Sequence, residues 1–219
     1  MNDLTRTPRA AASAGARSGD TRIRLIEATQ RVLVERGRQG ASSRAIAAES
    51  GVNLAGITYH FGSKDELVAQ ALLAAARGWI EPALAALKAD ADPPIRMILA
   101  IQALQESLSR ARDLLRVYLE ALVHAPRSDS LRRGIDELVG ELRAYLAEEI
   151  RALQTNGFLP AWIDPDPMAM LIVATGDGLA LHSALHPESV QPQAVASQAI
   201  QLLLAASVNP AGPSTPTPP

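Results

Sequence analysis

A chain of 219 residues without cysteine excludes a disulfide framework and a thiolate metal site, yet suffices for a core and two subdomains. Aromatic residues make up only 3%, so the core must be Leu, Ala, Ile and Val. The net charge of −2 hides an asymmetry: residues 1–64 carry ten Lys/Arg and five Asp/Glu, residues 65–219 eleven and eighteen. A basic head on an acidic body suits a nucleic-acid partner. No signal peptide is read, and Met168–Leu185, the most apolar stretch, is interrupted by Asp177 and two glycines. A cytoplasmic protein with no membrane partner is expected.

Taken in chain order, residues 1–19 are rich in Ala, Ser, Gly and Thr, with Arg6, Arg9 and Arg17, and read as a disordered basic arm. Asp20 or Thr21 is placed to cap a first helix whose inward stripe is Leu25, Ile26, Thr29, Val32 and Leu33; Gly37 ends it. A short second helix follows, with Ser42 as its cap and Ile46 and Ala47 on its inner face. Gly51 supplies a turn that needs positive φ, and Asn53 caps a third helix over Leu54 to about His60. Ser63-Lys64-Asp65-Glu66 reads as a capping box opening a fourth helix at Lys64. It runs to about Ile80, where Pro82 kinks or ends it.

Further helices are expected from Pro93 to about Ser107, over Arg110–His124 and over Ser130–Gln154, the last terminated by Asn156-Gly157. Asp164-Pro165-Asp166-Pro167 opens another, which ends at His186-Pro187. A last helix spans about Pro192–Ala206, and the tail from 208 to 219 is proline-rich and expected to be disordered. No strand-like alternation competes, so the fold class is all-α.

The stretch 42–67 carries the chemistry. A small Ala47 lets the third helix cross the second closely, Val52 and Ile57 close a little core, and the third helix is held proud of the surface. That is how a recognition helix enters a major groove. Ser42, Ser43, Tyr59, His60 and Lys64 are candidate phosphate contacts; Lys64 adds a charge to the positive end of a helix. Arg44, Leu54, Ala55 and Thr58 are candidate base readers, with Asn53 just before them and Gly56 permitting close backbone approach.

These residues resemble the N-terminal domain of TetR-type bacterial transcriptional regulators. The matching positions are Ile46, Ala47, Gly51, Val52, His60, Phe61, Ser63, Lys64, Glu66 and Leu67, together with Leu25-Ile26-Glu27-Ala28 and Glu35-Arg36-Gly37. The likeness covers roughly residues 21–80, with a weaker match around Asp177-Gly178-Leu179. One departure is visible: the family's tyrosine two residues before the His/Tyr-Phe pair is Thr58 here, with Tyr59 next door, and one residue is about 100° of helix rotation.

The resemblance implies a helix-turn-helix DNA-binding domain over 20–63, joined by the helix from 64 to about 80 to a ligand-binding and dimerisation bundle over 64–207. It further implies a repressor that binds a palindromic double-stranded operator as a homodimer and is released by a small-molecule effector of unknown identity. Candidate pocket residues within 93–186 are Arg116, Tyr118, His124, Tyr145 and Asp177, with His182 a further polar group. Arg116 and Tyr118, two apart, cannot share a helix face. The last two helices are expected to pair with their twofold mates through Met168, Leu171, Ile172, Thr175, Leu179, His182, Val195, Ala199, Leu202 and Leu203; a core within one bundle is the alternative. No catalytic residue, metal or cofactor is expected: there is no cysteine nucleophile, glycine-rich phosphate loop or G-x-S-x-G elbow. A helical enzyme or small-molecule-binding protein with a DNA-binding-like head is the competing reading. A purely structural helical protein would leave the basic head unexplained.

Overall fold

A computed structural model describes residues 8–110 and 112–186, together with 188, 191, 194, 195, 197, 198 and 201. Among them the order is α1 (Pro8–Gly40), α2 (Ser43–Ser50), α3 (Leu54–Phe61), α4 (Lys64–Leu87), α5 (Pro93–Arg110), α6 (Arg112–His124), a 3₁₀ turn (Ala125–Arg127), α7 (Asp129–Thr155) and α8 (Pro165–Leu185). Leu25, Ala28, Thr29, Val32 and Leu33 of α1 are buried as their spacing requires, and the Thr29 hydroxyl donates to the Leu25 carbonyl at 2.7 Å. Gly37 breaks the regular helix with φ 62° and ψ −177°.

The amino-terminal expectation needs correcting. Helix α1 begins at Pro8, so residues 8–19 are helical where a disordered arm is expected, and Asp20 lies inside the helix instead of capping it. Alanine recurs through this segment, and it is the strongest helix former. Residues 1–7 and the tail from 208 lie outside the described residues, as do most residues of the last expected helix.

Helix α4 is the axis of the molecule, packing against α1, α5, α6 and α7. It does not end near Ile80: the helix passes through Pro82 to Leu87. An interior proline costs roughly 3 kcal/mol. Beyond it Leu84 and Leu87 are almost fully buried, and burying one such side chain stabilises by about 1.5–3 kcal/mol. Tertiary burial therefore outweighs the local breaker.

Helix α7 carries Leu131, Ile135, Leu138, Leu146, Ile150 and Leu153 inward. Its end is closed by Gly157 at φ 76°, and Gln154 Nε2 donates to the carbonyls of Pro160 and Ile163 at 3.0 and 2.7 Å, pinning the loop before α8. Two apolar clusters result. One joins the head to the upper parts of α4, α6 and α7; the other gathers Leu87, Ala100, Leu146, Ala147, Ile150, Ile163 and Ala169 at the far end.

Candidate nucleic-acid interface and ligand cavity

Three short-range caps set the geometry of the head. Ser42 accepts from the Ala45 N–H at 3.1 Å, Asn53 from Gly56 at 2.9 Å and Ser63 from Glu66 at 3.0 Å. Each satisfies an N–H that the first turn of a helix leaves unpaired. Gly51 occupies the left-handed region at φ 65°, as the turn requires. Ile57 and Phe61 are buried, so the opposite side of α3 stands in solvent: Leu54 is 49% exposed, Tyr59 82%, and Ala55 and Thr58 are exposed as well. Ser42, Arg44 and Asn53 are also exposed, while Ser43, His60 and Lys64 are half-buried. All ten expected DNA-binding positions therefore cluster around α2, α3 and the start of α4. The oxygens of Ser42 and Asn53 are engaged as caps.

Two expectations shift in detail. Gly56 is needed inside the head: a Cβ there would lie 2.6 Å from Val52 Cγ1, so its smallness serves packing. The capping box is half formed, because the Glu66 carboxylate accepts from Gln70 Nε2 at 2.8 Å and from Ser130 Oγ at 3.0 Å. Two arginines of α1 also matter to the head and were not singled out by sequence. Arg24 donates to the Ser50 carbonyl at 2.7 Å, closing the end of α2. Arg22 donates to the His60 carbonyl at 3.2 Å and lies 4.5 Å above the Phe61 ring. In the sequence each reads as an ordinary solvated helix charge, and only the fold shows them meeting α2 and α3.

In the body, α4 to α8 line a partly open cavity of about 100 Å³. Its wall is aliphatic apart from Trp79, Tyr118 and Asp177, with Met97, Leu104, Leu146 and Ile172 among the rest. Tyr118 stacks on Trp79 with ring centroids 5.6 Å apart and donates its hydroxyl to Asp177 Oδ1. Burial pushes the Asp177 carboxyl above the usual carboxylate range, and the Tyr118 hydrogen bond only partly opposes this. Burial, reinforced by the neighbouring Asp177 charge, pushes the Tyr118 phenol well up.

Of the five expected pocket residues the fold brings together these two alone. Arg116 is exposed, since two residues on a helix turn it away from Tyr118. Tyr145 is half-buried beneath Lys88, whose Nζ lies 4.9 Å from its ring. His124 sits at the head–body junction near Arg38 and Asp65, with Nε2 bonded to Glu120 at 2.9 Å.

The pattern of bacterial regulatory proteins of the tetR family matches residues 25–71, and that of the BetI-type transcriptional repressor C-terminal domain matches residues 96–206. The chain belongs to the TetR family. It is similar to the HTH-type transcriptional regulator PksA of Bacillus subtilis, at 31% identity covering 77% of this chain and 81% of the relative. The BetI regulator of Rhizobium meliloti is 28% identical over 78% of this chain and 81% of its own length. Among solved structures, a transcriptional regulator from Pseudomonas aeruginosa PAO1 superposes with a TM-score of 0.70 at 31% identity, covering 86% of this chain and 88% of that one. A regulator from Saccharomonospora viridis, solved in complex with choline, shares the fold at a TM-score of 0.71 and 22% identity, over 85% and 96% of the two chains. The protein is thus a TetR-family DNA-binding transcriptional regulator of BetI type, from a family of ligand-responsive repressors.

For this TetR-family regulator α8 has two faces. Met168, Ile172 and Leu179 pack partly inward, and Ile172 lines the cavity, so these three serve the body's own core. Leu171 is 59% exposed and Thr175 and His182 lie on the same open side, joined by Met170, Leu181 and Leu185, which were not anticipated. Val195 is exposed, while Ala199, Leu202 and Leu203 lie outside the described residues. By length and composition α8 reaches the apolarity of a bilayer span even with Asp166, Asp177 and two glycines in it, as a helix of a membrane-free protein also can.

Proposed function

We propose that the protein is a repressor that binds a palindromic operator as a homodimer and lets go when a small organic cation with an apolar body enters the cavity. The exposed outer side of α3, held by buried Ile57 and Phe61 between two capped helix starts, carries the DNA half of this reading. Ser43, Tyr59, His60 and Lys64 supply phosphate contacts, and Arg44, Leu54, Ala55 and Thr58 meet base edges, with Ser42 and Asn53 at the helix starts beside them. The apolar open side of α8 meets its twofold mate, which spaces two recognition helices for successive grooves about 34–36 Å apart. Its working place is the bacterial cytoplasm, and the regulator relatives support a binding role in preference to an enzymatic one.

The cationic effector is supported by the cavity wall. Asp177 is a half-buried carboxylate, and no Lys, Arg or His stands among the described residues lining the space. An unpaired buried charge is costly, and stacked aromatic faces attract cations. The choline complex of the Saccharomonospora viridis neighbour is in keeping with this. Release requires that the ligand prefer the weakly binding state, since equal affinity for both states shifts nothing.

Footprinting of the purified protein on DNA around its own coding region, at defined salt, tests the DNA half. A protected palindrome is expected; affinity no better than for random DNA would refute it. Calorimetry with choline and with 3,3-dimethylbutan-1-ol, its neutral isostere, tests the effector class. The cation should bind at least about tenfold tighter, a difference of about 1.4 kcal/mol. Equal affinities would overturn the cationic assignment.

A further inference from the structure

The two Glu66 bonds that leave the capping box half made lie on a longer path. Arg22, on α1, donates from one guanidinium nitrogen to the His60 carbonyl and from the other to Gln70 Oε1 at 2.9 Å. The Gln70 amide donates onward to Glu66 Oε1 at 2.8 Å, and Glu66 Oε2 accepts from Ser130 at 3.0 Å. Ser130 is in the first turn of α7, beside the cap residue Ser128. Every group on this path is half-buried. The amide of Gln70 has one satisfactory orientation, because turning it over would face its NH₂ to the guanidinium and its oxygen to the carboxylate.

We infer that Arg22 is a positioning residue for the recognition helix, and that the path Arg22–Gln70–Glu66–Ser130 ties the pose of α3 to the effector-binding body. The inference rests on the operator-binding reading given above. Carbonyls in the last turn of a helix lack intrahelical partners, and a cation there complements the helix dipole. Arg22 meets that need at His60 while its planar face covers Phe61 and its second edge holds Gln70. Lysine, a single point donor, keeps the charge but cannot make all three contacts together.

At the other end of the path the Leu73 side chain of α4 packs onto Gly134 of α7, one turn after Ser130: a Cβ there would stand 2.5 Å from Leu73 Cδ2. Both helices go on to line the cavity, α4 from Trp79 and α7 from Leu142. At 1.5 Å per residue those positions lie about 18–20 Å along each helix from Glu66 and Ser130. A ligand that slides α4 against α7 therefore strains the Glu66–Ser130 bond and, through it, the anchor of α3.

The test uses the full-length protein and the operator found by footprinting, with random duplex of equal length as control. Arg22→Lys should lower operator affinity about tenfold while changing random-duplex binding less than twofold, because the charge is kept. Gln70→Leu and Ser130→Ala should each lower it roughly threefold, and the double variant should be no worse than the weaker single. Amide hydrogen exchange at the end of α3 should rise in all of them and stay unchanged in Arg31→Ala, which removes an exposed α1–α2 ion pair to Glu49. Additive losses from Gln70→Leu and Ser130→Ala, or wild-type exchange in α3 for Arg22→Lys, would overturn the inference. Failure of the wild-type protein to distinguish operator from random duplex would instead refute the operator reading itself.

Discussion

Replacing Tyr118 by Phe removes a single oxygen from a side chain that is only 1% exposed. The ring, its stacking on Trp79 and the packing volume are retained. What is lost is the donor to Asp177, whose carboxylate is left facing an apolar wall. Stranding a buried acceptor costs about 1–3 kcal/mol, and the upper half applies when the acceptor is charged. At about 2–4 °C per kcal/mol for a chain of this size, a loss of ~2 kcal/mol lowers the melting temperature by about 4–8 °C. The pH dependence has a definite sign. Asp177 is already raised in the folded chain by burial, and the Tyr118 bond is the influence lowering it. Removing that bond raises it further, so the folded state holds its proton to higher pH than the unfolded one. Stability of the variant therefore falls more steeply than that of the wild type as pH climbs from the ordinary carboxylate range through the raised value. Urea denaturation at about pH 4 and about pH 8 reads this directly, since the carboxyl holds its proton more at the lower value than at the higher. Tyr118→Phe combined with Asp177→Leu, which removes both partners, should recover most of the loss. A Tyr118→Phe protein as stable as the wild type at both pH values would refute the reasoning.

Three further outcomes follow from the same geometry. Gly51→Ala forces a side chain into the left-handed region and sets its Cβ 3.3 Å from the Arg24 guanidinium; a cost of about 1–2 kcal/mol is expected in denaturant titration. Ser63→Ala removes the oxygen that receives the Glu66 N–H and should cost about 1 kcal/mol, with Ser63→Thr largely restoring it. Leu171→Glu together with Leu185→Glu places charge on two α8 side chains that are 59% and 61% exposed. Sedimentation should report a monomer that keeps its helical circular dichroism, whereas an unchanged dimer mass would remove this face from the interface.

Sequence by itself determined the features that close over a few residues. The caps at Ser42, Asn53 and Ser63 each act three positions ahead, and the left-handed glycines 51 and 157 mark turns whose backbone admits little else. The inward stripes of α1 and α7 and the exposed side of α3 follow from helical period in the same way. Tertiary structure decided what depends on distant partners. Tyr118 and Asp177, 59 positions apart, become one polar pair in an apolar cavity, while Arg116, His124 and Tyr145 on similar helices are turned elsewhere. Arg22 finds the end of α3 across 38 positions, and Glu66 leaves its own helix start for Ser130 across 64. Pro82 fails to end α4 because the burial of Leu84 and Leu87 outweighs a local penalty of a few kcal/mol. Local spacing shows where a helix starts and which side is apolar; which apolar side meets which is settled by the packing of whole helices, whose summed burial exceeds any single residue's preference.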